Sequence, residues 1–237
     1  MIEIIDLSIG FGERKLLDHV STRFIEKTLT ALIGRNGTGK STLMKAICGL
    51  NDTYEGKILI NGENIKEISR NKLSKELAYV NTHRPKIGNL KCKEMVALGR
   101  TPYTGWNGKL SQQDWDKVDF ALECVGMTDY SNRYFNSLSD GESQKIMIAR
   151  AIAQDTRIII LDEPTSYLDL PTRYELVKLL KRLTKENGKT ILYSTHELDI
   201  ALKLSDYIAL VADHKLYNMT AAEMKSGALL SHLLTDI

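Results

Sequence analysis

The feature that most constrains this chain is an octapeptide, Gly34-Arg35-Asn36-Gly37-Thr38-Gly39-Lys40-Ser41. It fits the pattern G-x-x-x-x-G-K-[S/T] and follows an apolar run, Leu29-Thr30-Ala31-Leu32-Ile33. It leads into a stretch of helical character, residues 41–48, so the strand–loop–helix setting the pattern needs is present. Glycines let such a backbone curl around phosphate oxygens with its N–H groups aimed inward, and the helix behind adds its positive dipole end. Lys40 then reaches the β- and γ-phosphates, and the Ser41 hydroxyl ligates Mg²⁺. The eight residues together with Thr42 are the candidate triphosphate cradle. Chance produces the pattern about once in a hundred chains of this length.

Such a loop belongs to an α/β fold, and the rest of the 237-residue chain agrees. Short β-rich runs at 2–7, 29–33, 57–60, 78–80, 158–161, 190–193 and 207–211 alternate with helical patterns, which predicts a mostly parallel sheet. The run Ile158-Ile159-Ile160-Leu161 is continuously apolar, as expected for a strand covered on both faces. Pro171 opens a helix with Leu176, Leu179, Leu180 and Leu183 on one stripe, and Asn187-Gly188-Lys189 ends it. Between Glu94 and Ala153 the strand signal disappears, and 94–98, 112–125 and 142–154 read as helices. An all-helical insert in an α/β core is the expectation.

Composition excludes other classes. At 43% hydrophobic and 26% charged the chain is an ordinary globular sequence. A net charge of +2 gives no basic surplus, so no nucleic-acid partner is expected. The longest apolar run is six residues, 207–212, against the roughly 20 of a membrane span. The opening Met-Ile-Glu has neither the basic nor the apolar region of a signal peptide. Cys48, Cys92 and Cys124 are widely spaced, which suits small buried hydrophobes in a reducing, cytosolic setting. His19, His214 and His232 lack metal-ligand spacing, and Trp106 and Trp115 read first as packing residues of the insert, with partner docking second.

Two acids, Asp162 and Glu163, stand where the buried run 158–161 emerges, at the sheet edge where ligands of parallel α/β folds bind. One carboxylate can serve Mg²⁺, usually through water, while its neighbour polarises an attacking water. A second anion-binding helix start follows from Leu138-Ser139-Asp140-Gly141-Glu142, with Ser139 as N-cap and Gly141 in the first turn. One nucleotide does not need two such cradles in one chain, and a second protomer supplying this one in trans accounts for the surplus.

With these residues in place, the chain resembles the ATP-binding cassette ATPases. Residues 34–41 look like their Walker A, 158–163 their Walker B and 138–142 their signature loop. Ser166-Tyr167-Leu168-Asp169 looks like the D-loop and Ser194-Thr195-His196-Glu197 the switch-histidine segment. The order is the family's and the resemblance covers essentially the whole chain. It implies one nucleotide-binding domain, 1–237, with a P-loop NTPase (RecA-like) core at about 1–86 and 157–237. An N-terminal antiparallel β portion and a helical subdomain at about 87–156 complete it. It also implies a head-to-tail dimer burying two ATPs with Mg²⁺. In that picture Glu163 is the general base and Asp162 serves the metal. His196 contacts the γ-phosphate, Ser139, Gly141 and Glu142 close the site from across the interface, and Asp169 links the two sites. Phe11 holds the position of the adenine-stacking aromatic.

The chain departs from the family pattern at three positions. Thr82 stands where the family carries a glutamine that touches Mg²⁺, which makes Thr82 a candidate metal ligand of shorter reach. Asp140 replaces a glycine and Glu142 a glutamine of the signature. The stretch Glu94-Met95-Val96-Ala97-Leu98-Gly99-Arg100-Thr101-Pro102-Tyr103, then Gly105-Trp106, looks like importers of iron–siderophore complexes, haem and cobalamin. That likeness implies a cytoplasmic ATPase, peripheral on the inner face of the cell membrane. It would work with integral-membrane permease subunits fed by an extracytoplasmic substrate-binding protein. The alternative is a soluble cassette ATPase, such as one serving iron–sulfur cluster assembly, which can carry Glu at the end of the signature.

Overall fold

The computed structural model describes residues 1–12, 14–81, 85, 88–166 and 168–226, and of Phe11 the backbone alone. Thr82, the Phe11 ring, Tyr167 and His232 therefore lie outside the described residues. A six-stranded sheet forms the centre. Strand β3 (Leu29–Ile33) runs parallel between β9 (Tyr207–Ala212) and β8 (Thr190–Ser194), which is followed by β7 (Ile158–Leu161) and β6 (Leu77–Val80). At the other edge β10 (Lys215–Thr220) pairs antiparallel with β9. A second, four-stranded antiparallel sheet has the order β2-β1-β4-β5, from β1 (Ile2–Phe11), β2 (Arg14–Phe24), β4 (Tyr54–Ile60) and β5 (Glu63–Asn64). The helices are α1 (Lys40–Ile47), α2 (Arg70–Glu76), α3 (Cys92–Ala97), α4 (Gln112–Cys124), α5 (Asp140–Ala153), α6 (Leu170–Glu186), α7 (Leu198–Leu204) and α8 (Ala221–Ser226).

The burial pattern explains why β7 reads as an unbroken apolar run. Ile159 and Leu161 join one core cluster with residues of α3, α4, α5 and α6, while Ile158 and Ile160 join another with α1 and the antiparallel sheet. Alternate side chains thus leave the strand to opposite faces, and both faces are covered. Each buried isoleucine contributes about 1.5–3 kcal/mol.

Strands β2 and β10 carry no such signal. The pairing of β1 with β2 shifts register between Ile4 and Leu7, between Leu7 and Ile9, and between Ile9 and Gly10. Asp6 and His19 sit there at positive φ (50° and 49°), so the two-residue alternation is interrupted. Helix α2 buries only Leu73, which leaves its sequence without an apolar stripe. The turn after α6 forms as the sequence suggests: Gly188 has φ 63° and the Lys189 N–H reaches back to the Leu183 carbonyl.

The insert is held by packing that its sequence disguises. Gly99 lies so close to α5 that a Cβ would sit 2.2 Å from the Arg150 carbonyl oxygen. Arg100 is buried, donating to Asp114 Oδ1 (2.9 Å) and to the Ala153 carbonyl at the end of α5 (2.8 Å), and its guanidinium lies 4.0 Å from the Tyr103 ring centre. The two tryptophans differ: Trp115 packs half-buried against the core, whereas Trp106 is fully exposed. Packing, the first reading for both, is therefore corrected for Trp106, whose neighbours Gly105, Asn107 and Gly108 are exposed or loop residues with no core within reach. Cys48 and Cys92 are buried and Cys124 is half-buried.

Candidate functional site

The site grows from the C-terminal ends of β3, β7 and β8, which the parallel register brings to one edge. The loop after β3 wraps the start of α1. Its backbone needs glycine at Gly34 (φ 155°), where a Cβ would meet the Val211 carbonyl at 2.7 Å, and at Gly39 (φ 105°), where it would meet Leu16 at 3.0 Å. Lys40 begins α1, is 5% exposed, and donates to the carbonyls of Gly34 (2.7 Å) and Arg35 (2.9 Å). Burial pushes its ammonium below the usual lysine range, against the pull of Glu163 and Asp162. Thr38 Oγ1 donates to the Arg35 carbonyl (2.9 Å) and tightens the loop. Asn36, Gly37, Gly39, Lys40, Ser41, Thr42 and Glu163 line a cleft of about 330 Å³, and Arg14 and Leu16 complete its wall. Arg14 reaches over from β2 to donate to the Gly37 carbonyl (3.3 Å).

Two carboxylates face this loop from the end of β7. Asp162 is buried (3% exposed) and accepts from Ser41 Oγ (3.0 Å) and Ser194 Oγ (2.8 Å) on Oδ1, and from the Tyr79 hydroxyl (3.4 Å) on Oδ2. Burial and the neighbouring Asp162 charge push the Tyr79 hydroxyl well above its ordinary value, so it stays a donor. Glu163 adopts a left-handed backbone (φ 47°), which turns its side chain to the cleft. Its Oε1 lies 2.7 Å from His196 Nε2, and its Oε2 accepts from Ser166 Oγ (3.0 Å). Burial alone would raise this carboxyl, but the hydrogen bonds from His196 and Ser166, with the charges of His196 and Lys40, hold it below its ordinary value. The site thus presents a carboxylate ready to accept a proton, beside a buried cation.

The signature residues lie apart from this cleft. Ser139 caps α5 with a reciprocal box. It accepts from the Glu142 N–H (3.3 Å), while Glu142 Oε2 accepts from the Ser139 N–H and hydroxyl, both at 2.8 Å. These bonds, and one from Tyr130, hold the Glu142 carboxyl below its ordinary range. A Cβ on Gly141 would find only ordinary contacts, at 3.5 Å from Leu168 and 3.6 Å from Thr172, so nothing inside the chain demands glycine there. Asp169 caps α6, accepting from the Thr172 N–H (3.1 Å). None of Ser139, Gly141, Glu142 or Asp169 lines the cleft at Lys40.

Of the residues singled out from sequence, the structure brings together Gly34 to Thr42, Asp162, Glu163 and His196, and leaves Ser139, Gly141, Glu142 and Asp169 on separate helix starts. Sequence reasoning missed Arg14, Leu16, Tyr79, Ser166 and Ser194. Of these, only Ser166 and Ser194 stood inside motif segments, Ser194 as the polar residue that ends β8 and Ser166 in the turn after β7.

A P-loop, a strand-end acid pair and a histidine on one edge of a mixed sheet define a nucleotide-hydrolysing P-loop cassette. The sequence profile of the ABC transporter family matches residues 17–166, and the chain belongs to that family. It is similar to an uncharacterised ABC transporter ATP-binding protein of Methanocaldococcus jannaschii, 37% identical over 216 residues, covering 91% of this chain and 74% of that one. It is also similar to the iron(3+)-hydroxamate import ATP-binding protein FhuC of Bacillus subtilis, 36% identical over 228 residues, covering 96% and 85%. Among solved structures it is similar to a metal-chelate type ABC transporter in an inward-facing conformation, with TM-score 0.83, 25% identity and coverage of 94% and 84%. A dimeric ATP-binding cassette in a post-hydrolysis state bound to ADP and Pi superposes with TM-score 0.80 and 26% identity, covering 93% and 99%. The chain is an ATPase of this class.

Proposed function

We propose that this chain is the ATP-hydrolysing subunit of an importer for an iron chelate (a siderophore), haem or cobalamin. Two copies, set head to tail, hold two ATPs between the Walker A loop of one and the signature of the other. The observation that carries the dimer is the separation of the two cradles: Lys40 and the acid pair line or adjoin one cleft, while Ser139 and Gly141 sit outside it at the partly exposed start of α5. Gly141 fits the same reading, since its lack of a side chain leaves room for something approaching from outside. The import reading draws on the siderophore-import relatives, such as FhuC, and on the metal-chelate type transporter. The chain would sit on the inner face of the cell membrane against permease subunits. No helix among the described residues is long and apolar enough to cross a membrane.

Within each shared site, the loop amides and Lys40 bind the phosphates, with Phe11 stacking on adenine. Ser41 and Asp162 offer hard oxygen donors side by side, the set Mg²⁺ prefers, so the residues fit that ion, with Thr82 as a further candidate ligand. When bound, Mg²⁺ supplies charge neutralisation at the β- and γ-phosphates. Glu163 takes the proton of the attacking water and is already ionised for that task. His196 orients the Glu163 carboxylate and reaches toward the γ-phosphate. Ser139, Gly141 and Glu142 close the site from the second copy, and Asp169 lies where the two sites communicate.

Glu163→Gln tests this reading. With ATP and Mg²⁺ the variant is expected to run as a dimer by light scattering and to lose turnover about 10²–10⁴-fold. A monomer that hydrolyses at the wild-type rate would refute it. Detergent extracts separate the import reading from a soluble role: recovery with an integral permease supports import, and recovery with soluble scaffold proteins alone contradicts it.

A further inference from the structure

Strands β7 and β8 pair with Leu161 beside Tyr193, so the register carries Ser194 alongside Asp162. Ser194 is fully buried. Its hydroxyl accepts the Glu163 N–H (2.7 Å) and donates to Asp162 Oδ1 (2.8 Å). One hydroxyl therefore touches both acids of the site, through the backbone of one and the carboxylate of the other. Glu163 needs such a restraint because its left-handed backbone (φ 47°) is a conformation that side-chain-bearing residues rarely adopt. Two residues further on, His196 holds the Glu163 side chain, so the end of β8 fixes this glutamate at two points.

The geometry points to Ser194 as a positioning residue that sets Asp162 and Glu163 together. This rests on the reading of Glu163 as the base and Asp162 as the metal-serving acid. The hydroxyl locks Glu163 in the conformation that turns its carboxylate to the cleft. It also fixes the Asp162 oxygen that Ser41 shares, while Tyr79 reaches the other oxygen of that carboxylate. Ser194 does not itself line the phosphate cleft, and its two hydrogen bonds go to the acid pair rather than to Lys40 or the loop amides, so the phosphate-binding groups keep their contacts without it.

The test compares Ser194→Ala, Ser194→Thr, Glu163→Gln and the double variant Ser194→Ala/Glu163→Gln as full-length chains. Steady-state turnover, KM for ATP and the Mg²⁺ concentration for half-maximal turnover are measured. Ser194→Ala is expected to lose about 10–100-fold in kcat, to need several-fold more Mg²⁺, and to keep KM for ATP within about threefold. Ser194→Thr keeps the hydroxyl and is expected to recover most of kcat. Adding Ser194→Ala to Glu163→Gln should change the residual rate less than about threefold, because residues acting as a unit are not additive. If Ser194→Ala does not accumulate folded, Ser194→Cys fills the space with a weak donor and gives the same comparison. Wild-type kcat in Ser194→Ala beside a dead Glu163→Gln overturns the inference and leaves the base assignment standing. Equal loss in both backgrounds, or kcat and KM failing together, also overturns it. Wild-type turnover in Glu163→Gln overturns the underlying reading instead.

Discussion

Replacing Arg100 by Met should unpin the helical insert from its own scaffold. Arg100 and Asp114 are paired with side chains 9% and 11% exposed. The guanidinium also caps the last turn of α5 through the Ala153 carbonyl, a favourable place for a cation. Methionine keeps the stem and removes two charge-assisted bonds, each worth about 1.5–3 kcal/mol. Breaking one side of a buried pair costs about 3–5 kcal/mol. Asp114 keeps its bonds from the Ser111 N–H (2.9 Å) and hydroxyl (2.6 Å), which places the expected loss at the low end, about 3 kcal/mol. A chain of this size shifts by about 2–4 °C per kcal/mol, so the thermal midpoint should fall by about 6–12 °C. The loss also depends on pH. Ser111, outweighing burial and helped by Arg100, holds the Asp114 carboxyl below its ordinary 3.8. The gap between wild type and Arg100→Met is therefore complete above that value and shrinks as the pH falls through the lower, folded value. Circular dichroism melts, with hydrogen exchange of α4, measure this. A midpoint within about 2 °C of wild type at neutral pH would refute the reasoning.

Gly34→Ala should cut ATP affinity at least about tenfold in a binding titration, since the added Cβ would lie 2.7 Å from the Val211 carbonyl and force the loop open; unchanged affinity would contradict it. Trp106→Ser should leave folding stability within about 0.5 kcal/mol, because the ring touches no core, and should weaken recovery with a permease. A large drop in melting temperature would show that the ring packs after all.

Much of the core was legible because its signals are local. The phosphate loop declares itself by spacing, and β7 by four apolar residues that two covered faces require. The antiparallel sheet was harder, since bulges at Asp6 and His19 break the alternation that would have marked β2. The stretch around Gly99-Arg100 shows a different limit. As a motif it suggested an importer, yet the structure gives both residues packing duties, and it is residues beyond them, Tyr103 and above all Trp106, that face outward. Ser194 was invisible as a partner of both acids, because its role depends on the register between two strands far apart in sequence. Glu142 reads as a departure from the family's glutamine, and its reciprocal box with Ser139 emerges only from geometry.

The central claim, that each reaction centre is built from two copies, is tested most directly by mixing two inactive chains, Lys40→Ala and Ser139→Arg, and measuring ATP turnover. A mixed pair places both lesions in one site and leaves the other site intact, so activity should appear on mixing, up to about a quarter of wild type for random pairing. No turnover above the separate variants, with mixed dimers demonstrated by crosslinking, would contradict it.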